Sequence, residues 1–335
     1  MTTQIKSALA LLMLISGSFF VNAQEGIPVY SDYLTDNLYL LHPSMAGASN
    51  ASKVRLTARQ QWFDVEDAPS LQTLSLNGRI TDKIGVGGIL FNDSNGNFSQ
   101  TGAYATFAYH LLLSRNEIDL NQLSFGLSIG AIQGRLDEST FTMFDPIVTG
   151  IEQTDTYFNL DFGVSYYFLD FFSHLTVKNA LPANRDIFTE DLESNNQRRY
   201  LLSAGYTISP YGSDWSYEPS IMFQSTDETQ ERSIDLNMKV YKAMDFGRLW
   251  GGLSYRRSFE GAEFTQDGVE VSNQKLQLIT PFVGVDYNNF MFAYTYSYQA
   301  NSVVLSNSGF HQLTIGYKFN ERRDRYDCNC PAINY

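Results

Sequence analysis

Cysteine, basic charge and long apolar runs are all scarce in this chain, and each shortage removes a class of protein. Cys328 and Cys330 are the only cysteines and both fall at the extreme C-terminus, so the body of the chain has no disulfide framework. A C-x-C pair with no neighbouring His or Cys also lacks metal-ligand spacing. With 23 Lys and Arg against 36 Asp and Glu, the net charge of −13 argues against nucleic acid as a partner. His42, His110, His174 and His311 are far apart, and no Walker loop, G-x-S-x-G elbow or C-x-x-C occurs. No catalytic residue, cofactor or metal site is therefore expected. A Ser-His enzyme stays open as a rival, because such residues meet only in space.

One apolar run does occur, at the start. Lys6 precedes Ala8 to Val21, and Val21-Asn22-Ala23 fits a small-x-small cleavage site. Residues 1–23 read as a signal peptide, too short in their apolar core to span a bilayer comfortably. No Cys follows the cleavage site, so a lipoprotein signal is not indicated. Past this point there is no second run long enough for a transmembrane helix. A chain that stays in a membrane without helices must close a β-barrel, because lipid offers no partner to an open backbone edge. The abundance of Tyr, Phe and Gly suits that solution.

The fold class follows from alternation. Phe158, Leu160, Phe162, Val164, Tyr166 and Phe168 are separated by Asn159, Asp161, Gly163, Ser165 and the exception Tyr167. Leu123 to Ile129, Ile234 to Val240, Phe290 to Tyr298 and Leu313 to Phe319 repeat the pattern. A period of two puts one set on each face of a strand. We place strands at about 53–62, 70–80, 83–92, 98–109, 121–134, 157–168, 171–178, 198–208, 215–225, 231–241, 246–256, 276–287, 290–298 and 310–319. A soluble sandwich would alternate in the same way, so the turns decide. Thr81-Asp82, Leu169-Asp170 and Asn288-Asn289 are tight, whereas 135–156, 179–197, 257–275 and 299–309 are long and polar. Short turns on one side and long loops on the other are the outer-membrane pattern, with the short side periplasmic. The expected fold is all-β: a transmembrane antiparallel barrel of about 14 strands over residues 53–319. Pro219 and Pro281 make two of these strands the weakest, since a missing donor is costly in a ladder. Gly85 to Gly88 lie within a strand and mark close packing rather than a phosphate cradle.

Extending the alternation places Arg55, Arg59, Arg79, Lys239, Arg248 and Arg256 toward the lumen, beside Asp161 and Asp235. That lining is basic. Residues 24–52 are the opposite, with Glu25, Asp32 and Asp36 and no Lys or Arg before Lys53. Their Tyr and Leu content is too apolar for a loose tail, so residues 24–50 are expected to fold back as a lumen plug, turning at Pro43 to Gly47. The rival is a segment lying in the periplasm against a partner. Residues 320–335 are polar and charged and are expected to form a periplasmic tail.

Particular residues carry a family resemblance. Leu41-His42-Pro43-Ser44-Met45-Ala46-Gly47 resembles the N-P-A-x-A-G segment of the PorP/SprF family, with His42 at the family's Asn. Arg59-Gln60-Gln61-Trp62, then Ala68-Pro69 and Gln72-Thr73, resemble its R-Q-Q-W … A-P … Q-T block. Gly85 to Gly88, Asn92-Asp93 and Phe98-Ser99-Gln100-Thr101-Gly102 resemble a third block. Arg59 and Gln61 also have a plain reading as lumen residues, with Trp62 in an interfacial girdle. The resemblance implies an outer-membrane accessory of type IX secretion that supports export or anchoring of specific cargo, such as large adhesins, with gliding motility in some relatives. Expected partners are secreted cargo, other type IX components and outer-membrane lipid. A solute channel is the alternative.

Overall fold

The computed structural model describes residues 37–61, 67–114, 119–139, 150–181, 198–227, 229–266, 270–300 and 309–321, with 262–274 as backbone alone. Fourteen antiparallel strands close into a barrel. They are β1 (Ser52–Gln61), β2 (Ser70–Arg79), β3 (Ile84–Asn95), β4 (Phe98–Leu112), β5 (Asn121–Asp137), β6 (Glu152–Phe168) and β7 (Phe171–Lys178). The second half comprises β8 (Arg199–Tyr206), β9 (Trp215–Thr226), β10 (Arg232–Met244), β11 (Gly247–Gln266), β12 (Glu270–Tyr287), β13 (Phe290–Gln299) and β14 (Phe310–Phe319). Each strand pairs with the next, and β1 pairs with β14 from Ser52↔Phe319 to Gln61↔Phe310, so no edge is left open. The fold expected from alternation is the fold observed.

The period of two sorts the side chains by solvent. On β6, Phe158 is 67% exposed in the isolated chain while its neighbour Asn159 is 2% exposed. The same inversion runs around the wall: Leu56, Leu90, Phe107 and Ile129 point out, and Thr57, Thr106 and Ser128 point in. An apolar outside around a polar inside is stable only where lipid supplies the outer contact.

The strands carrying prolines are intact, and the geometry shows how. The β8–β9 ladder breaks between Gly205↔Ser220 and Ile208↔Tyr217, leaving Pro219 paired with Met238 on β10 but with no partner on the β8 side. The β12–β13 ladder likewise skips Thr280 and Pro281. Each proline thus stands where one neighbouring ladder has lapsed, and its missing N–H costs no bond there.

Loop expectations need correction. Residues 257–275 are not a long polar loop: β11 and β12 run on to Gln266 and Glu270 as a hairpin, with a bulge between Arg257 and Gly261. Residues 135–156 also give up their ends to β5 and β6. Trp62, the rest of the long loops, residues 1–36 and the tail from 322, with both cysteines, lie outside the described residues.

Candidate functional site

The lumen holds part of the chain itself. Residues 37–51 precede β1 and fold inward as two short 3-10 turns, Leu38–Leu40 and Pro43–Met45. Asn37, Leu40, Leu41, His42, Ser44, Ala46 and Ala48 have at most 2% of their surface exposed. The wall is cut to receive them. A Cβ on Gly85 would stand 2.0 Å from the Ala46 carbonyl oxygen, and one on Gly126 would stand 2.2 Å from the Pro43 carbonyl carbon. Gly87 clears the Tyr39 ring, and Gly163 lies against Pro43 and Ser44. These inward glycines are the close backbone approach that glycine in a strand permits. Gly47 has φ +64, and a Cβ there would meet Gly78 O at 2.6 Å. Only glycine meets both demands.

Polar contacts fix the register of the segment. Asn37 Nδ2 donates to Ser75 Oγ at 2.8 Å, and Tyr39 OH donates to Thr106 Oγ1 at 2.7 Å. His42 Nδ1 meets Thr176 Oγ1 at 2.8 Å, and Ser44 Oγ meets Ser165 Oγ at 2.6 Å. Tyr167 OH bonds Met45 Sδ. These five wall positions are inward residues of four strands, so the segment ties β2, β4, β6 and β7 together.

The six bases expected in the lumen do different things. Arg79 donates to Gly47 O at 2.8 Å and to Ala48 O at 2.7 Å. Arg55 reaches Asn37 Oδ1 at 3.4 Å. Arg59 is 3% exposed, with its guanidinium 5.0 Å from the Phe310 ring centroid. Arg256 pairs with Asp235 at 2.6 Å and Arg248 with Asp286 at 2.6 Å. Lys239 sits 4.4 Å over Trp250. Residues 37–51 contain no Asp or Glu, so within this stretch the bases grip backbone carbonyls and an amide rather than carboxylates.

The balance of charge also differs from two acids against six bases. Glu218 and Asp286 face inward as well, as do Lys53, Lys178 and Lys318. Lys178 lies 3.8 Å from Asp161 and donates to Leu40 O at 3.1 Å. Glu218 and Asp286 belong to the two proline-bearing strands, where the pattern was hardest to extend.

Three histidines dismissed by spacing are buried in the lumen, and two of them are in contact. His110 Nε2 lies 3.0 Å from Ala46 O, with Nδ1 2.8 Å from Ser124 Oγ. His174 Nδ1 bonds Ser165 at 2.7 Å, and its ring stacks on that of His42. Burial above all, with His174 and Lys178 adding, holds the His42 imidazole well below its usual range. No group of three or more His, Cys, Asp or Glu positioned for a metal occurs among the described residues.

The family-motif residues split between this site and the wall. Pro43, Ala46 and Gly47 belong to the lumen segment. Arg59 and Gln100 point inward, while Gln60, Gln72, Asn92 and Thr101 point outward at the loop end of β1–β4. Asp93 pairs in register with Gln100, and the Pro69 carbonyl accepts from the Gln61 N–H at 2.9 Å.

Solved outer-membrane structures overlap this barrel loosely. CdiB from Escherichia coli is 11% identical with a TM-score of 0.40, over 80% of this chain and 63% of that one. BamA from Haemophilus ducreyi lacking POTRA domains 1–3 is 9% identical with a TM-score of 0.38, over 80% and 70%. The KdgM porin is 8% identical with a TM-score of 0.36, over 80% and 99%. No curated protein matches the chain. The family model for the type IX secretion system membrane protein PorP/SprF matches residues 22–317. The chain belongs to that family of type IX secretion membrane components, and its closed barrel places it in the outer membrane.

Proposed function

We propose that this chain is an accessory of type IX export that helps particular cargo, such as large surface adhesins, to be exported or held at the cell surface. Surface gliding is the process so served in some relatives. The observation that supports an accessory over a conduit is the occupied lumen: residues 37–51 are bonded to inward residues of four strands. In this reading residues 1–23 are a signal peptide, residues 24–50 form a plug, and residues 320–335 dock onto a periplasmic partner. Capture of the tagged protein from intact outer membranes is the test. The reading expects one or a few secreted cargo proteins to co-purify with type IX components. Surface display of all cargo unchanged in a deletion strain overturns it.

A second reading, a solute channel, has one observation in its favour. A cavity of about 610 Å³ opens at the loop end, lined by Arg199, Gln224, Glu231, Arg256 and Glu260 among others. Liposome swelling with the purified full-length protein separates the two: rapid solute uptake supports the channel.

A further inference from the structure

Cations crowd the turn end of the lumen, beside the seam. Lys53 and Lys318 face each other across β1–β14, and Arg55 lies one inward step above Lys53. The level of Arg55 runs on through Gly316 and Met291 to Asp286 and Arg248. Gly316 leaves room for the Arg55 stem, whose Cγ would lie 3.3 Å from an added Cβ. Lys239, over the Trp250 ring, and Glu218 complete the group.

The charges of this group do not balance among the described residues. Lys53, Arg55, Lys239, Arg248 and Lys318 meet two acids, Glu218 and Asp286. Asp286 is bonded to Arg248 at 2.6 Å and stands 4.0 Å from Lys318. Lys53 is the sharpest case. It is 7% exposed and is faced by Arg55, Lys318 and Arg248, with Asp286 the one acid acting on it. Its ammonium forms no ion pair among the described residues. A cation withdrawn from water calls for an anion beside it.

We propose that this cluster is a carboxylate-binding site, and that its occupants are Asp36 and Asp32 of the chain itself. Residues 24–36 lie outside the described residues, and their charged side chains are Glu25, Asp32 and Asp36, all acidic. The point where that stretch meets the described chain is fixed. Asn37 is fully buried, and its Oδ1 accepts from an Arg55 guanidinium N–H at 3.4 Å. Asp36 is therefore one Cα–Cα step of about 3.8 Å from a residue already in contact with the cluster, and Asp32 at most about 18 Å from it along the chain. An acid on so short a tether acts at an effective concentration on the order of millimolar or above. A free anion or an acidic segment of another protein has to displace it, which favours the chain's own carboxylates. The proposal deepens the reading of residues 24–50 as a plug. Residues 37–51 are held by β2, β4, β6 and β7, and the carboxylates fasten the stretch before them to β1, β11 and β14, across the other half of the ring.

Zero-length carbodiimide coupling of the full-length protein in isolated outer membranes tests it, with the joined peptides read by mass spectrometry. The expected product is an amide between the Lys53 or Lys318 amine and Asp32 or Asp36. Lys318 joined to Asp286, 4.0 Å away, shows that the reagent has entered. That control product with nothing on Asp32 or Asp36 overturns the proposal, and so does Lys53 joined to a different protein. A second measurement needs no reagent in the lumen. Asp32→Asn with Asp36→Asn raises chymotryptic cleavage at Tyr30 and Tyr33 about tenfold, and Lys53→Met raises it as much. Combining all three adds little, because both changes break one interaction. Heat-modifiable mobility shows each barrel still folded. Unchanged cleavage in the acid variant, or effects that multiply, overturn the proposal. Conductance after deletion of residues 25–41 tests the plug itself, so the two readings fail separately.

Discussion

The imidazole of His42, on the lumen segment, stacks on that of His174, on the barrel wall, with ring centroids 4.6 Å apart. Both rings are fully buried, and Lys178 stands close enough to disfavour a further positive charge.

That stack predicts acid release of the segment. Above about pH 6.5 the His42 imidazole is neutral whether seated or released, and seating carries no protonation cost. As pH falls below that value, the released segment takes up a proton that the seated one cannot. Seating then weakens by about 1.4 kcal/mol per pH unit until the depressed seated pKa is reached. Conductance in planar bilayers should therefore rise between pH 7 and pH 5. His42→Asn, which keeps a polar partner for Thr176 without a titrating ring, should flatten the dependence.

The glycines of the inner wall should resist enlargement. Gly85→Ala and Gly47→Ala force a methyl into the Ala46 carbonyl and the Gly78 backbone, a backbone conflict of about 1–3 kcal/mol. Gly88→Ala has no atom nearer than 3.7 Å and should be close to neutral. Urea unfolding of the refolded variants in detergent measures the difference; equal midpoints would refute it.

Deleting residues 25–41 removes the Asn37 and Tyr39 contacts and should increase single-channel conductance. A deletion protein as closed as the wild type would show that the segment blocks nothing.

Orientation is open to surface labelling. Tags within residues 135–156 or 179–197 should react with impermeant reagents on whole cells, and a tag after Tyr335 should not. Reversed labelling would invert the barrel.

Much of the wall was legible because lipid and lumen impose opposite demands on neighbours such as Phe158 and Asn159, and alternation records this directly. Fourteen strands emerge at nearly the same places by pattern and by geometry. The two strands that Pro219 and Pro281 made the weakest form nonetheless, because the adjoining ladders lapse beside the prolines, which sequence does not show. The misses have physical causes. The 257–275 hairpin was hidden because strands projecting beyond lipid need no apolar face. His42, His110 and His174 converge only through the lumen, across 132 residues of chain from first to last, and no spacing rule reaches that far. Arg79 and Lys178 grip carbonyls, which every residue possesses, so charge pattern alone could not find their partners.

Closure of the wall sets an order of assembly. The seam joins Ser52 to Phe319 and Gln61 to Phe310, the most distant pairing the barrel contains. Contacts of such sequence separation form late, after loop-closure entropy has been met. The lumen segment lies immediately before the first seam strand and touches β2, β4, β6 and β7, all available before β14 arrives. The wall can therefore gather around the segment while the ring is still open, and the final strand then shuts it in. A segment installed this way needs no pore wide enough to thread it.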